Sequence, residues 1–385
     1  MHILYLNPFH SGSHAAVAEG YRQHSSHDIT LLSLSHAGGW RWRMRGAAVT
    51  LARRLREQMQ EHKPSFDIIV ATDLLDLVTF LGLTRDVTAG IPVVLYFHEN
   101  QLTYPLPPGR TRDLSFPWIN YTSALAADLV CFNSAFHRQA FLEALPSLPG
   151  RYHDHQELDL IETIAAKSQV LPPGIDLARL DEPPIGDWRS GAGSGSDLQP
   201  PAAEHQSPVL LWNSRWEYDK APEVFFAALR QLELRGIDFR LMVVGEHVDP
   251  NEPNFLAARE WLAPRALAWG YAPDSDSYRA CLCQADIVVS TAVQEFFGIG
   301  VVEAMYRGCV PILPRRLSYP ELLPAEYHAA CLYEDDTGLA DRLAAAIREL
   351  PALKQLDFQA VAAQYDWSAM APRYDRLFER LVHPE

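Results

Sequence analysis

The stretch Val288-Val-Ser-Thr-Ala-Val-Gln-Glu-Phe-Phe-Gly-Ile-Gly-Val-Val-Glu-Ala-Met-Tyr-Arg-Gly-Cys-Val-Pro-Ile-Leu-Pro314 decides the fold. The apolar run Ile287 to Val289 reads as a buried strand, and Gln294 to Gly298 as a loop with two aromatics and a glycine. From Gly300 onward Val301, Val302, Ala304 and Met305 recur at helical spacing, until Gly308 and Pro311 stop the helix before a second buried strand. Strand, loop, helix, strand is the repeating unit of a parallel sheet.

In such a unit the loop lies at the carboxyl end of a strand. The helix begins with unpaired N–H groups of partial positive charge, where phosphate is held. Glu295 falls in the loop and Glu303 about two turns into the helix, so one carboxylate can reach a sugar and the other a ribose of one ligand. On spacing alone the pair also reads as a loop glutamate and a solvated helix glutamate. The stretch resembles the nucleotide-sugar loop of the retaining GT-B glycosyltransferases, whose E-x7-E motif is flanked by a phenylalanine-glycine loop and a helix of small residues. Glu295, Phe296, Phe297, Gly298 and Glu303 match it in place, with Ile299 opening the helix. The resemblance implies an α/β chain of GT-B class, with two Rossmann-like parallel-sheet domains facing a cleft.

At 385 residues the chain is long enough for two domains with full cores. The expected division is an acceptor-side domain over 1–180, a Gly/Ser/Pro-rich linker over 186–207, a nucleotide-sugar domain over 208–355 and a helix over 356–385 that crosses back. No apolar run approaches the roughly 20 residues that span a bilayer, and Met1 to Asn7 reads as a strand rather than a signal peptide, so a cytoplasmic protein is expected. Five cysteines without paired C-x-x-C spacing suggest neither a disulfide frame nor a zinc site. A net charge of −15 argues against nonspecific wrapping of nucleic acid but leaves room for one basic face.

Along the chain, the strand His2 to Asn7 is followed by His10-Ser-Gly-Ser-His14 and a helix over Ala15 to Tyr21. A strand, a Gly/Ser turn at Gly12 and Ser13, and a helix start form a phosphate-facing site, although Ser13 also fits a helix cap. Trp40-Arg-Trp-Arg-Met-Arg45 precedes a helix expected over Ala47 to Gln60 that carries Arg53, Arg54 and Arg56. Arginines interleaved with flat aromatics suit nucleic acid, an anionic membrane surface, or a core flanked by snorkelling arginines. Strands over Phe66 to Ala71 and Val93 to Tyr96 enclose a helix over Leu74 to Leu83, and Phe97-His-Glu-Asn-Gln-Leu-Thr-Tyr-Pro105 crowds polar groups at a strand's carboxyl end. Ser134 is placed to cap a helix running to about Ala144, and Arg151 to Lys167 reads as polar and helical, with His153-Asp-His155 on a solvated surface. In the second half Asn213-Ser-Arg-Trp-Glu-Tyr-Asp-Lys220 lies between a strand and a helix starting near Pro222. Arg215 and Lys220 there can both point at a diphosphate, or form surface ion pairs with Glu217 and Asp219. Glu246 and Tyr271 fall at strand ends where a nucleotide base would rest, and Tyr365 to Phe378 is an amphipathic closing helix.

The run Tyr96-Phe-His-Glu-Asn-Gln-Leu-Thr-Tyr-Pro105, the early Pro8-Phe-x-x-Gly-Ser-His14 and the Trp-x-Trp-Arg segment resemble the tRNA-queuosine mannosyltransferase family. That resemblance implies transfer of mannose from GDP-mannose to the queuosine base in the anticodon of tRNA(Asp), by a monomer, with retention at the sugar carbon and no metal or other cofactor. It further implies that Arg215, Lys220 and the helix after Gly298 stabilise the departing diphosphate, Glu295 and His98 hold the sugar, and Glu303 holds the ribose. Asn213, Gly12, Ser13, Glu246, Tyr271, Phe296, Phe297 and Ile299 complete the donor site. His14, Glu99, Asn100 and Gln101, with Trp40, Arg41, Trp42, Arg43 and Arg45, become acceptor contacts. Three other readings compete: a transferase of the same fold acting on a lipid or glycan, an RNA-binding module without activity, and a GT-B epimerase or phosphorylase. On this reading, exchanging Lys220 or Glu295 for Ala abolishes transfer and leaves the fold intact.

Overall fold

The computed structural model describes residues 1–62, 64–107, 109–182, 207–246 and 253–384. The expected linker, apart from Ser207, lies outside the described residues. The chain divides into two compact units, Met1–Asp176 with Tyr365–Glu385, and Leu177–Gln364. The first boundary therefore falls at Asp176 rather than after residue 180, because Leu177 and Leu180 are buried within the second unit. The returning segment starts at Tyr365 rather than 356.

The first unit runs β1 (His2–His10), α1 (Gly12–His24), β2 (Asp28–Ser35), α2 (Gly39–His62), β3 (Ile68–Thr72), α3 (Leu77–Thr88), β4 (Val93–Phe97), α4 (Ser115–Ala126), β5 (Leu129–Phe132), α5 (Ala135–Ala144), α6 (Leu160–Ala166) and β6 (Ser168–Val170). Among the described residues its sheet has six parallel strands in the order β2-β1-β3-β4-β5-β6. β3, β4 and β5 are buried at every position, which is why they read as unbroken apolar runs: helices cover both faces.

Several local expectations change. The Trp40 to Arg45 stretch is the start of α2 rather than a segment before it, because Met44, Ala47, Ala48, Leu51 and Leu55 form one buried stripe at helical spacing. β1 continues to His10, so α1 begins at Gly12 with Ser11, not Ser13, at the cap position. Over 151–167 only α6 is an α-helix, and His153 to His155 lie in an exposed loop. Ser134 caps α5 as expected, its Oγ accepting from the His137 N–H at 3.0 Å.

The second unit runs β7 (Val209–Asn213), α7 (Pro222–Leu234), β8 (Arg240–Val244), α8 (Pro253–Leu262), β9 (Ala266–Gly270), α9 (Ser275–Gln284), β10 (Ile287–Val289), α10 (Ile299–Tyr306), β11 (Val310–Pro314), α11 (His328–Cys331), β12 (Leu332–Tyr333), α12 (Leu339–Leu353) and α13 (Phe358–Ala363). Its described strands form a parallel sheet in the order β12-β11-β10-β7-β8-β9. Pro311 lies inside β11, opposite Val288, instead of before the strand. From β7 the chain winds outward through β8 and β9 and then returns to β10 on the other side, so β7 and β10 flank the topological switch point. β1 and β3 do the same in the first unit. Loops at the carboxyl ends of strands flanking a switch point are where open α/β sheets bind ligands. Among the described residues no helix is long and apolar enough to cross a membrane.

The last helix, α14 (Trp367–Val382), packs on the first unit. Trp367 is inserted between Gly20 of α1 and Gly174, where added Cβ atoms would stand 2.0 and 2.3 Å from the indole. Only glycine admits the ring there. Asp375 accepts hydrogen bonds from Tyr21 Oη (2.8 Å), Ser25 Oγ (2.6 Å), Ser26 N (2.9 Å) and Ser26 Oγ (2.8 Å). Burial alone would raise its pKa, but these donors outweigh burial and hold it below the usual aspartate range. The ion's contribution is therefore complete above the ordinary aspartate value and lost as pH falls through its own lower one. Asp375→Asn is expected to cost about 2 kcal/mol at pH 7 in urea unfolding, a difference that shrinks in acid as the wild-type carboxylate itself takes a proton.

Candidate active site

The charged side of the site is built at the β7/β10 switch point. After β7 the chain turns through Arg215 and Lys220 into α7, and Ala221 takes a left-handed conformation (φ 44°) to make the corner. That corner buries the Lys220 side chain. Its Nζ donates to the Gln294 carbonyl at 2.8 Å and lies 3.3 Å from both Glu295 Oε2 and Asp219 Oδ2. Burial pulls the ammonium pKa down, but the Glu295 and Asp219 carboxylates outweigh it, so the net shift is upward and Lys220 stays charged. Arg215 is half exposed and pairs with Glu217 at 3.2 Å. The ion pairing with Glu217 and Asp219 weighed from sequence thus forms, at the surface for Arg215 with Glu217 but buried for Lys220 with Asp219, and Lys220 additionally reaches Glu295 across the switch point.

The loop after β10 is fastened to the loop after β7. Thr291 Oγ1 donates to the Lys220 carbonyl at 2.7 Å, and Val293 N–H to the Asp219 carbonyl at 2.9 Å. Phe296 and Phe297 are buried and Ser318 Oγ donates to the Phe297 carbonyl at 3.0 Å, which leaves Glu295 as the partly exposed carboxylate of the loop. Gly298 adopts φ 103° to turn the chain into α10. At Gly300 a Cβ would come within 2.9 Å of Asn213 Nδ2, so the opening turn of α10 lies directly against the end of β7.

Glu303, in the second turn of α10, is only 5% exposed. Tyr278 Oη donates to its Oε2 at 2.6 Å, Arg179 pairs with Oε1, and Asn213 Nδ2 donates to Tyr278 Oη at 2.7 Å. Burial, with the Glu303 charge beside it, pushes the Tyr278 pKa well above the usual tyrosine value, so it remains a donor. Glu246 is exposed just past β8, and Tyr271, 60% exposed, follows β9, the strand paired with β8.

The first unit, taken by itself, gathers buried polar groups at the carboxyl ends of its strands. His14 in α1 and His98 after β4 are buried with ring centroids 4.2 Å apart, and His14 Nδ1 and His98 Nε2 have no hydrogen-bond partner among the described residues. Burial lowers the His14 pKa to about 3; burial, followed by the neighbouring His14 and His137, lowers that of His98 well below the usual range. Asp73, after β3, accepts from the His98 N–H at 2.9 Å, and burial, then Glu99, pushes its pKa well above the carboxylate range. Glu99 Oε1 accepts from Gln101 Nε2 at 2.8 Å. Asn100 is wholly buried and its Oδ1 accepts from Leu102 N–H (3.0 Å) and Thr103 N–H (2.8 Å), so it shapes the turn rather than facing a ligand. Gly12 and Ser13 are exposed at the start of α1.

Of the aromatic-arginine stretch, Trp40 packs edge-on against Phe116 at 5.1 Å, and Phe9, which also touches His14, belongs to the same small cluster with Met44. This brings the start of α2 beside the histidine pair. Arg43 Nε donates to the Ser35 carbonyl at 2.8 Å and Arg45 pairs with Asp113 at 2.5 Å. Arg41 lies over Trp40 at 4.5 Å, and Trp42 stands 60% exposed.

Comparison with known proteins follows this geometry. A family model described as tRNA-queuosine alpha-mannosyltransferase N-terminal matches residues 2–175, and one described as Glycosyl transferases group 1 matches residues 207–351. The tRNA-queuosine alpha-mannosyltransferase of Drosophila melanogaster is 33% identical over 343 residues, covering 89% of this chain and 86% of its own. The chain belongs to the tRNA-queuosine alpha-mannosyltransferase family. A GDP-mannose:cellobiosyl-diphosphopolyprenol alpha-mannosyltransferase from Xanthomonas campestris is 27% identical over 308 residues, 77% of this chain and 69% of its own. The sucrose-phosphate synthase from Thermosynechococcus elongatus superposes with a TM-score of 0.71 at 16% identity over the full length of both chains, a likeness of fold. The fold is GT-B, as its sequence suggested, and the protein is a glycosyltransferase.

In this tRNA-queuosine alpha-mannosyltransferase family member, sequence reading missed Asp73, Arg179 and the role of Tyr278. Asp73 had a signal, an acid directly after an apolar strand. Arg179 had none, since its partner Glu303 is 124 residues away. The expectation that Lys220→Ala leaves the fold intact also changes, because Asp219 is 0% exposed and would lose its compensating charge. Lys220→Met is expected to cost about 3 kcal/mol in chemical unfolding, and the double change Lys220→Met with Asp219→Asn to recover most of it.

Proposed function

We propose that the protein transfers mannose from GDP-mannose, with retention at the sugar carbon, to the queuosine base in the anticodon of tRNA(Asp). Membership of the family, over both halves of the chain, carries this reading. The residue roles follow from chemistry. As the glycosidic bond breaks, negative charge builds on the diphosphate, and a preorganised cation with helix N–H groups stabilises it. Lys220, Arg215 and the start of α10 with Gly298 and Ile299 supply these. The departing phosphate takes the acceptor's proton on the same face. Glu295 accepts from the hydroxyls of the transferred sugar and Glu303 from the ribose, with Glu246 and Tyr271 beside the base. His98 contacts the sugar as a neutral imidazole. No metal or cofactor enters these steps.

On the acceptor side the reading assigns His14, Glu99 and Gln101 to the modified base, and the exposed part of α2 to the tRNA backbone and an unstacked base. Trp42 offers a flat exposed ring, and Arg41 a cation beside it; Trp40, Arg43 and Arg45 brace that surface rather than meeting RNA directly. The enzyme acts as a cytoplasmic monomer.

The experiment is mass spectrometry of nucleosides from queuosine-containing tRNA(Asp) incubated with protein and GDP-mannose. A nucleoside heavier by one hexose is expected, and Glu295→Gln should remove it without loss of fold. Binding and hydrolysis of GDP-mannose with no new nucleoside would move the acceptor to another RNA, a glycan, or a lipid diphosphate like that in the name of the Xanthomonas relative.

Trp42→Ala is expected to weaken tRNA binding about ten-fold, in line with one lost base stack. Donor hydrolysis should stay unchanged. Arg41→Ala should flatten the dependence of log affinity on log salt by roughly 0.7 to 0.9. Filter binding across a salt series reads both, and wild-type affinity and slope in both variants would remove α2 from the RNA site.

A further inference from the structure

A carboxylate that grips two neighbouring hydroxyls must keep both its charge and the plane in which it lies. Burial opposes the first, and the free rotation of a glutamate side chain opposes the second. Glu303 is 5% exposed, and two groups act on its two oxygens: Arg179 on Oε1 and Tyr278 on Oε2 at 2.6 Å. Tyr278 is itself fixed by Asn213 at 2.7 Å, and Asn213 also donates to the Gly300 carbonyl at 3.3 Å, at the opening of the same helix.

Arg179 belongs to the short 3₁₀ turn Ala178–Leu180, which begins the second unit. That turn is fastened to the helices beside it. Leu177 and Leu180 are 0% and 1% exposed, Arg279 Nη1 donates to the Arg179 carbonyl at 2.9 Å, and Tyr306 Oη of α10 donates to Asp181 at 2.8 Å. The guanidinium therefore reaches Glu303 from an anchored backbone, while its own side chain remains 43% exposed. An ion pair between two exposed groups would contribute little. Here one partner is buried, and the guanidinium is the charge that compensates it.

We propose that Arg179, acting with Tyr278 and Asn213, is a positioning residue that holds the Glu303 carboxylate oriented for the 2′ and 3′ hydroxyls of the donor ribose. It thereby sets the preference for a ribonucleotide over its 2′-deoxy form. The proposal rests on the reading of Glu303 as the ribose ligand. Arg179 governs donor affinity and ribose recognition more than the bond-breaking step, because its charge acts on the nucleoside end of the donor.

The test compares wild type, Glu303→Gln, Arg179→Met and Arg179→Lys. Calorimetric affinities for GDP and for 2′-deoxy-GDP are measured together with KM and kcat for GDP-mannose, and thermal melting verifies the fold. For Arg179→Met the expectation is a GDP affinity reduced about ten-fold, a KM for GDP-mannose raised more than kcat falls, and a lost preference for GDP over 2′-deoxy-GDP. Arg179→Lys should restore most of that preference, which a merely structural role would not predict. If Glu303→Gln loses the preference while Arg179→Met keeps it, the proposal is wrong and the ribose reading stands. If Glu303→Gln itself keeps the preference, or wild type shows none, the ribose reading fails and the proposal with it. A fall in kcat for Arg179→Met with KM and preference unchanged would likewise overturn the positioning role.

Discussion

Lys220 is almost wholly out of water, and an ammonium group in that position must be compensated where it sits. Two carboxylates do so, Asp219 from the preceding residue and Glu295 from across the switch point. Glu295 could not be placed by local sequence alone. Asp219 requires the left-handed corner at Ala221, and Glu295 requires β7 and β10 to be neighbours. The arrangement fixes an ammonium at the switch point between a buried carboxylate, Asp219, and a partly exposed one, Glu295. A cation already fixed in place needs no reorganisation when a further anion arrives, which is what the proposed role towards a leaving diphosphate asks of it.

The same physics explains why the two units differ in kind. The second unit buries ions and pairs each of them, as with Lys220 and Glu303. In the first unit the groups at the carboxyl ends of β3 and β4, and at the start of α1, are buried with no such partner among the described residues, and burial disfavours their charged forms: it lowers the pKa of the His14 and His98 imidazoles and raises that of the Asp73 carboxyl. Neutral donors and acceptors recognise hydroxyl groups without adding charge. The contrast between paired ions in the second unit and groups whose charged forms burial disfavours in the first thus follows from whether a counter-ion lies within reach of each buried group.

Much of this was legible in the sequence because it depends on patterns along short stretches. The apolar runs gave β10 at its observed bounds, Gly298 and Gly308 bracketed α10, and the pairing of Ser134 with a following helix reads directly from residue order. The partition of α2 was misread for a physical reason: tryptophan and arginine at its start look like a surface segment, while the stripe that decides the helix begins at Met44 and is visible only when counted through to Leu55. Asn100 was misread because a buried amide closing a turn and an amide facing a ligand have the same neighbours in sequence. Arg179 was invisible because the contact that gives it meaning joins distant parts of the chain.

The acidity of the chain and its arginine-rich helix are reconciled by distance. α2 carries six arginines against two glutamates, while the whole chain has a net charge of −15. In physiological salt, charges are screened over about 8 Å, less than the width of one helix with its side chains. A polyanion approaching α2 therefore responds to the charges of that helix and hardly to the rest of the body. Several of these arginines are already committed, Arg45 to Asp113 and Arg56 to Asp86, so the net attraction of the face is smaller than its composition suggests. For the proposed RNA partner this weak local attraction is a means of setting register, since phosphate contacts position a nucleic acid without identifying it. In the proposed function, identification then falls to His14, near the start of α2, with Glu99 and Gln101, where a wrong base would leave buried polar atoms unsatisfied.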